Sequence, residues 1–271
     1  MASIDTGTDQ LLFAIDEGVA TITLNRPQAR NALSDTLTPA LRLALASIPD
    51  RADVGAVIIT GAGTAFCAGG DVKSMGSDKK AKPRSLDEAA ADLRHRQRTL
   101  TGVLVGLRVP TIAALPGPAA GAGMALALAC DIRIAARSAF VSTGYARVGL
   151  SGDYGITWLL TRLVGTARAR ELMFTARRVD AETCERLGLV NQVVDDDRLQ
   201  DEVRALATSL AAGPRAAIAA MKDNLDQALS DDFLACLDHE ADRMVRVART
   251  DDHREAVRAF IEKRSPNFGA G

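Results

Sequence analysis

Three stretches of the sequence hold residues able to do chemistry together. Residues 61–71, GAGTAFCAGGD, form a Gly-rich loop, and residues 117–123, GPAAGAG, form a second that opens the apolar run MALALAC. Residues 149–155, GLSGDYG, carry one carboxyl group, Asp153, in a Gly-rich turn. A glycine-flanked helix start leaves backbone N–H groups unpaired at its positive end, where an oxyanion or other anion is stabilised. Two loops that each present one such N–H toward one carbonyl oxygen would stabilise an enolate or a tetrahedral oxyanion. A carboxyl beside them could carry a proton. Whether the loops converge is not readable from spacing. The plainer reading of Asp153 is an N-cap for the helix expected over 154–164, since Asp is favoured there.

The elements that must position these residues follow from periodicity. LLFAID and VATITL read as two strands of a hairpin turned at Glu17-Gly18. NRPQARNALS is a loop, and Ser34 is placed to cap a helix through LTPALRLALASI. VGAVIIT and TIAALP are continuous apolar runs of the kind that form buried strands. Residues 86–107 read as a long helix with a basic side, and the charged segment GSDKKAKPRSL over 76–86 lacks apolar anchors and is expected to be mobile. After the 117–123 turn come a helix over 122–129, strands DIRIAA and AFVST, helices over 154–164 and 166–175, a short helix around AETCERLG and the strand LVNQVV. Residues beyond Asp195 read as helices. Strand–turn–helix units recur, so the fold class is α/β. Trp158 is expected to pack in the core, and His95 to lie on the surface.

Composition removes several classes. The chain has 271 residues, 47% hydrophobic and 25% charged, with a net charge of −1. That balance calls for neither nucleic acid nor an anionic membrane surface. MALALAC, the longest apolar stretch, is too short to span a bilayer. MASIDTGTDQ has neither a basic nor an apolar signal region, so a cytoplasmic protein is expected. Cys67, Cys130, Cys184 and Cys236 form no C-x-x-C pair, and His239 and His253 have no metal-ligand spacing, so no metal is expected. The 61–71 loop is not a dinucleotide fingerprint, because Phe66 stands where the third glycine is required. No G-x-S-x-G is present, which disfavours a serine hydrolase.

The ordered set NRPQARNALS, AFCAGGDVKSM, PTIAALPGPAAGAGMALALACDIRIAA, GLSGDYGITWLLTRLVG, RRVDAETCERLGLVNQVV and AFIEKRSPNF resembles the crotonase superfamily, the enoyl-CoA hydratase/isomerase family, from about Leu11 to Phe268. The resemblance implies a spiral of ββα units over residues 1–195. It also implies a C-terminal helical region, 196–271, that drives assembly into a homotrimer or hexamer. The substrate implied is an acyl-CoA thioester, with coenzyme A as part of the substrate and no separate cofactor. Carried over, the oxyanion donors are the amides of Gly70 and Ala122. Ala68 falls where the family's backbone meets adenine. Arg26, Lys73 and Lys263 fall where basic residues approach the CoA phosphates, and Asp71, the acid of A-G-x-D, is grouped with them.

The departures from the family pattern matter. Its hydratases carry two glutamates, at the positions of Ala125 and Tyr145 here. Hydration needs a base for water and an acid for carbon 2, and neither residue supplies a carboxylate. Asp153 matches the catalytic aspartate of the dienoyl-CoA and ring-opening epoxyphenylacetyl-CoA isomerases. It also matches the nucleophile of the chlorobenzoyl-CoA dehalogenases, a reading that the 4% aromatic content disfavours. The leading expectation is therefore double-bond isomerisation with Asp153 as acid/base and Tyr145 contacting substrate. The alternatives are an enoyl-CoA hydratase with nonstandard residues and a non-catalytic acyl-CoA-binding protein.

Overall fold

The computed structural model describes residues 2–71 and 85–269. Lys73 and almost all of the 76–86 segment lie outside those residues. The strands are β1 (Ala2–Ile4), β2 (Leu11–Asp16), β3 (Val19–Leu24), β4 (Ala56–Gly61), β5 (Thr111–Leu115), β6 (Ala119–Ala120), β7 (Ile132–Ala136), β8 (Phe140–Ser142), β9 (Val179–Asp180) and β10 (Gln192–Val194). β2 and β3 pair antiparallel about Glu17 and Gly18, both at positive φ, the backbone a two-residue hairpin turn requires. From β3 onward the large sheet is parallel, in the order β3-β4-β5-β7-β10.

The segment after each parallel strand makes the spiral. β4 leads to a rung at Cys67–Gly70, β5 to β6 and β7 to β8. These rungs stack as a second layer: Leu33 bridges Gly70, Cys67 bridges Ala119, Ala119 pairs with Val141, and Val141 with Val179. Residues 70 and 122, far apart in the chain, therefore leave neighbouring rungs. This is the crotonase-type α/β spiral.

The apolar runs are continuous because both faces of the parallel sheet are covered. Val57, Ile59, Ala113 and Leu115 face the main core, which includes Leu37, Leu41 and Leu45 of α1 (Leu37–Ser47). The N-cap residue of α1 is Thr36 rather than Ser34, but Ser34 Oγ accepts from Leu37 N at 3.0 Å and so still ties down the start of that helix. The long helix is α2 (Leu86–Gln97), a π-turn (Arg98–Gly102) and α3 (Val103–Gly106). His95 is exposed on α2, as expected.

Next come α4 (Ala122–Leu128), α5 (Ile156–Thr175) and α6 (Ala181–Leu187). α5 is broken at Gly165, which joins the two helices expected over 154–164 and 166–175. Two expectations are overturned here. Trp158 is 45% exposed, with the Arg162 guanidinium stacked 3.8 Å from its ring centre, so it is a surface residue. The first segment of α5 begins at Ile156, because Tyr154 (φ +51°) and Gly155 (φ +79°) are left-handed.

Among the described residues, four α-helices follow Asp195: α7 (Leu199–Ala211), α8 (Arg215–Gln227), α9 (Phe233–Val247) and α10 (Asp251–Glu262). α7 lies on the second face of the sheet, where Leu199, Val203, Ala207 and Ala211 meet Ala56, Ile58, Ile112 and Ala114. A half-buried ion pair, Lys222 Nζ to Asp131 Oδ2 at 2.6 Å, ties α8 to the turn after α4. Helices α8–α10 keep apolar side chains in the open: Met221, Phe233, Leu234, Met244, Phe260 and Ile261 are all exposed. No described helix is long and apolar enough to cross a membrane.

Candidate active site

The two Gly-rich loops pack directly on each other. Ala120 N donates to Cys67 O at 2.9 Å, and Cys67 N to Pro118 O at 3.1 Å. Two glycines make that approach possible. A Cβ on Gly123 would stand 2.3 Å from Cys67 O, and one on Gly69 (φ +93°) would stand 2.7 Å from Ala120 O and 3.4 Å from Ala122 N. The rungs thus bring the Gly70 and Ala122 segments side by side, the convergence that spacing alone could not give. Around Gly70 the ladder to Leu33 uses Gly69 O and Asp71 N. Neither the Gly70 nor the Ala122 amide donates a hydrogen bond to another described residue. Ala125, one turn into α4, is fully buried.

The first loop is braced from the segment before α1. Asn31, fully buried at φ +56°, donates from Nδ2 to Ala62 O (3.0 Å) and Ala65 O (2.7 Å), and its Oδ1 accepts from Arg26 N (2.8 Å). Nothing in the sequence reading singled out Asn31. Its signal was only that Asn tolerates the left-handed region better than most residues. Arg26 reaches Ala32 O (2.6 Å) and Asp71 Oδ2 (3.1 Å), so two residues expected near the CoA phosphates are joined to each other. Ala68 is exposed, with its amide on Arg30 O at 2.9 Å. Lys263 is exposed in the left-handed cap that ends α10, outside the network around Gly70 and Ala122.

The third loop joins the second through Gly121 and Gly144. Gly121 N donates to Ser142 O at 3.0 Å, and a Cβ on Gly144 would stand 3.8 Å from Gly121 N. Tyr145, the next residue, is 5% exposed and packs in the core that contains Ala122 and Ala125. Its Oη donates to Asp153 Oδ1 at 2.6 Å. Burial raises the Asp153 carboxyl above its usual pKa, and the hydrogen bond from Tyr145 works against that rise. Burial, then the charge of Asp153, push the Tyr145 phenol far above its ordinary value.

Asp153 is not the side-chain cap of α5. Gly155 is the N-cap residue and no side chain caps it. Asp153 meets the helix only through its backbone oxygen, which accepts from Ile156 N at 3.1 Å. A tertiary partner eight residues upstream has taken the carboxyl that the local rule assigns to the helix. The neighbouring Tyr154 is also buried, with Arg42 and Arg96 acting on its phenol. Among the described residues the site therefore has two unengaged backbone donors and one carboxyl held by a phenol.

The family model described as enoyl-CoA hydratase/isomerase matches residues 14–271. A Rhodobacter capsulatus protein named "probable enoyl-CoA hydratase" is 40% identical over 256 residues, covering 94% of this chain and 96% of that protein. The Escherichia coli 1,2-epoxyphenylacetyl-CoA isomerase is 36% identical over 258 residues, covering 95% and 97%. The crystal structure of a Bacillus anthracis enoyl-CoA hydratase superposes with a TM-score of 0.89 at 32% identity, covering 97% of this chain and all of that one. With that fold and those loops, the chain belongs to the enoyl-CoA hydratase/isomerase family of the crotonase superfamily and is an acyl-CoA enzyme of that family.

Proposed function

We propose that the protein isomerises a double bond in an acyl-CoA thioester, with Asp153 as the one acid/base. The observation that carries this is the Tyr145–Asp153 hydrogen bond at 2.6 Å, together with the buried Ala125. At the two positions where the family's hydratases hold glutamates, this chain has a methyl group and a phenol already committed to Asp153. Hydration asks for two acid/base roles on two atoms. An allylic shift asks for one group that takes a proton from one carbon and returns it to another.

In this reading the thioester oxygen accepts from the Gly70 and Ala122 amides. The Asp153 carboxylate removes a proton from the carbon next to the thioester, and the C–H electron pair becomes a dienolate whose charge the two amides hold. The carboxylic acid then delivers the same proton to the far end of the dienolate, so atoms and charge balance without a co-reactant. Fixed backbone donors need no rearrangement at the moment of reaction, which is where their advantage over water lies. The similarity to a 1,2-epoxyphenylacetyl-CoA isomerase supports the reading. The similarity to proteins named hydratases supports a second one, hydration by a different set of residues.

CoA binding would draw on Ala68, Lys73 and Lys263, with Arg26 and Asp71 shaping the loop, in a trimer or hexamer built on the exposed faces of α8–α10. The test is a panel of 2-enoyl-, 3-enoyl- and dienoyl-CoA thioesters, each assayed for hydration and for isomerisation. Isomerisation of at least one, with hydration far slower on all, is expected. Hydration as the fastest reaction throughout would favour the second reading.

A further inference from the structure

We infer that Tyr145 is a positioning residue that acts through Asp153: it holds Oδ1 so that Oδ2 alone faces the substrate carbon. The inference rests on the proposed role of Asp153 and goes beyond it, because it removes Tyr145 from contact with substrate.

The geometry carries it. The Tyr145 ring is fixed in the core, and the turn that contains it is closed at both ends by left-handed glycines, Gly144 and Gly149. Leu150 N donates to Tyr145 O at 3.0 Å, which ties this turn to the one bearing Asp153. Its hydroxyl has one proton to give, and that proton goes to Oδ1 at 2.6 Å. The Asp153 carboxyl has no other hydrogen-bond partner among the described residues. An aspartate in a Gly-rich turn would otherwise rotate between its two oxygens. Here one oxygen is occupied and the other is left for chemistry, so the reacting atom is defined before substrate arrives.

Charge supports the assignment. Among the described residues, Tyr145 acts directly on the Asp153 carboxyl, while the charges of Asp153, Arg42 of α1 and Arg96 of α2 all act on the neighbouring Tyr154 phenol. The Tyr145 phenol keeps its proton, being buried beside a carboxylate, and is a poor acid or base for the substrate. By donating to the ionised carboxyl it offsets part of the burial cost and favours the base form of Asp153.

The chain has only two tyrosines, Tyr145 and Tyr154, which makes a sharp test possible. The pH–rate profile is measured on the thioester that the wild-type enzyme isomerises best. Tyr145→Phe should lower kcat roughly 10- to 100-fold through lost orientation, with KM nearly unchanged. The acid limb of kcat should move up by about one pH unit, because a hydrogen bond to the charged form is gone. In a Tyr154→Phe background, 3-fluorotyrosine at position 145 keeps the shape and is a stronger donor, so the limb should move down relative to that background. This second arm decides the matter if Tyr145→Phe fails to fold. An acid limb that stays in place in whichever of the two proteins folds would overturn the inference, as would a Tyr145→Phe enzyme whose loss lies in KM. Asp153→Asn, assayed beside them, separates the two ideas: full turnover there would sink the role of Asp153 itself.

Discussion

The Arg26 guanidinium bridges Asp71 Oδ2 at 3.1 Å and the Ala32 carbonyl at 2.6 Å, and so bolts the segment before α1 to the loop that presents Gly70. Both ion-pair side chains are mostly buried, so solvent screens the bond less than it would a surface pair. Arg26→Lys keeps the charge but cannot make both contacts. If bracing is what Arg26 does, the lysine variant should lose kcat, with a stability loss of about 1–2 kcal/mol in a denaturant titration. If it serves the CoA phosphates instead, KM should rise at unchanged kcat and stability.

Gly123 is one of the close approaches between the two oxyanion loops. Gly123→Ala places a methyl where Cys67 O already sits, 2.3 Å away, and the loops must part. Overpacking of this kind costs about 1–3 kcal/mol, visible in a thermal melt. Misplacing one donor of an oxyanion pair should cost roughly 10²–10³ in kcat. A variant with wild-type turnover would show that the spacing between these loops is not critical.

The C-terminal helices carry the assembly prediction. Phe260, 86% exposed, and Ile261 lie at the end of α10, close to Lys263. An exposed apolar face of this extent is expected to be covered by a second copy. Light scattering should report a trimer or larger at micromolar concentration, and Phe260→Asp should shift it toward monomer. Lys263→Ala should leave assembly intact and weaken CoA binding roughly 2- to 10-fold. That effect should shrink as salt is added.

Asp153 should also leave a mark on stability. Its folded-state pKa is raised by burial, so the folded chain holds the proton more tightly than the unfolded one. The destabilisation from ionising it is absent below the ordinary carboxyl value of about 3.9. It grows as pH rises from there through the folded value and is constant beyond. Asp153→Asn escapes it while keeping an acceptor for Tyr145. Its melting temperature relative to wild type should therefore be higher at pH 8 than at pH 4. The opposite trend would mean that the carboxylate is stabilised in the fold.

Legibility in the sequence tracks physical range. The Glu17-Gly18 hairpin, the buried parallel strands, the Ser34 contact at the start of α1 and the break between the two segments of α5 are set by neighbours in the chain, and local rules find them. The family's motif order places Gly70 and Ala122, but their meeting depends on rungs that pair Cys67 with Ala119, more than fifty residues apart. The N-cap reading of Asp153 fails because capping rules weigh only local donors. A buried phenol at Tyr145 outcompetes the helix amides for the carboxyl. Size alone puts Trp158 inside, whereas a cationic stack with Arg162 holds it at the surface. Asn31 escapes a sequence reading because its work, pinning two loop carbonyls from a left-handed backbone, has no periodicity.

The most direct measurement is the turnover of Asp153→Asn on the thioester that the wild-type enzyme isomerises fastest, with binding of the CoA ester followed in parallel. Asparagine preserves the shape and the Tyr145 contact and removes only the base. Turnover should fall roughly 10²–10⁴-fold, while ester affinity, which rests on the backbone amides and the CoA contacts, stays within a few-fold. Retention of most wild-type turnover would contradict the assignment of Asp153 as the acid/base.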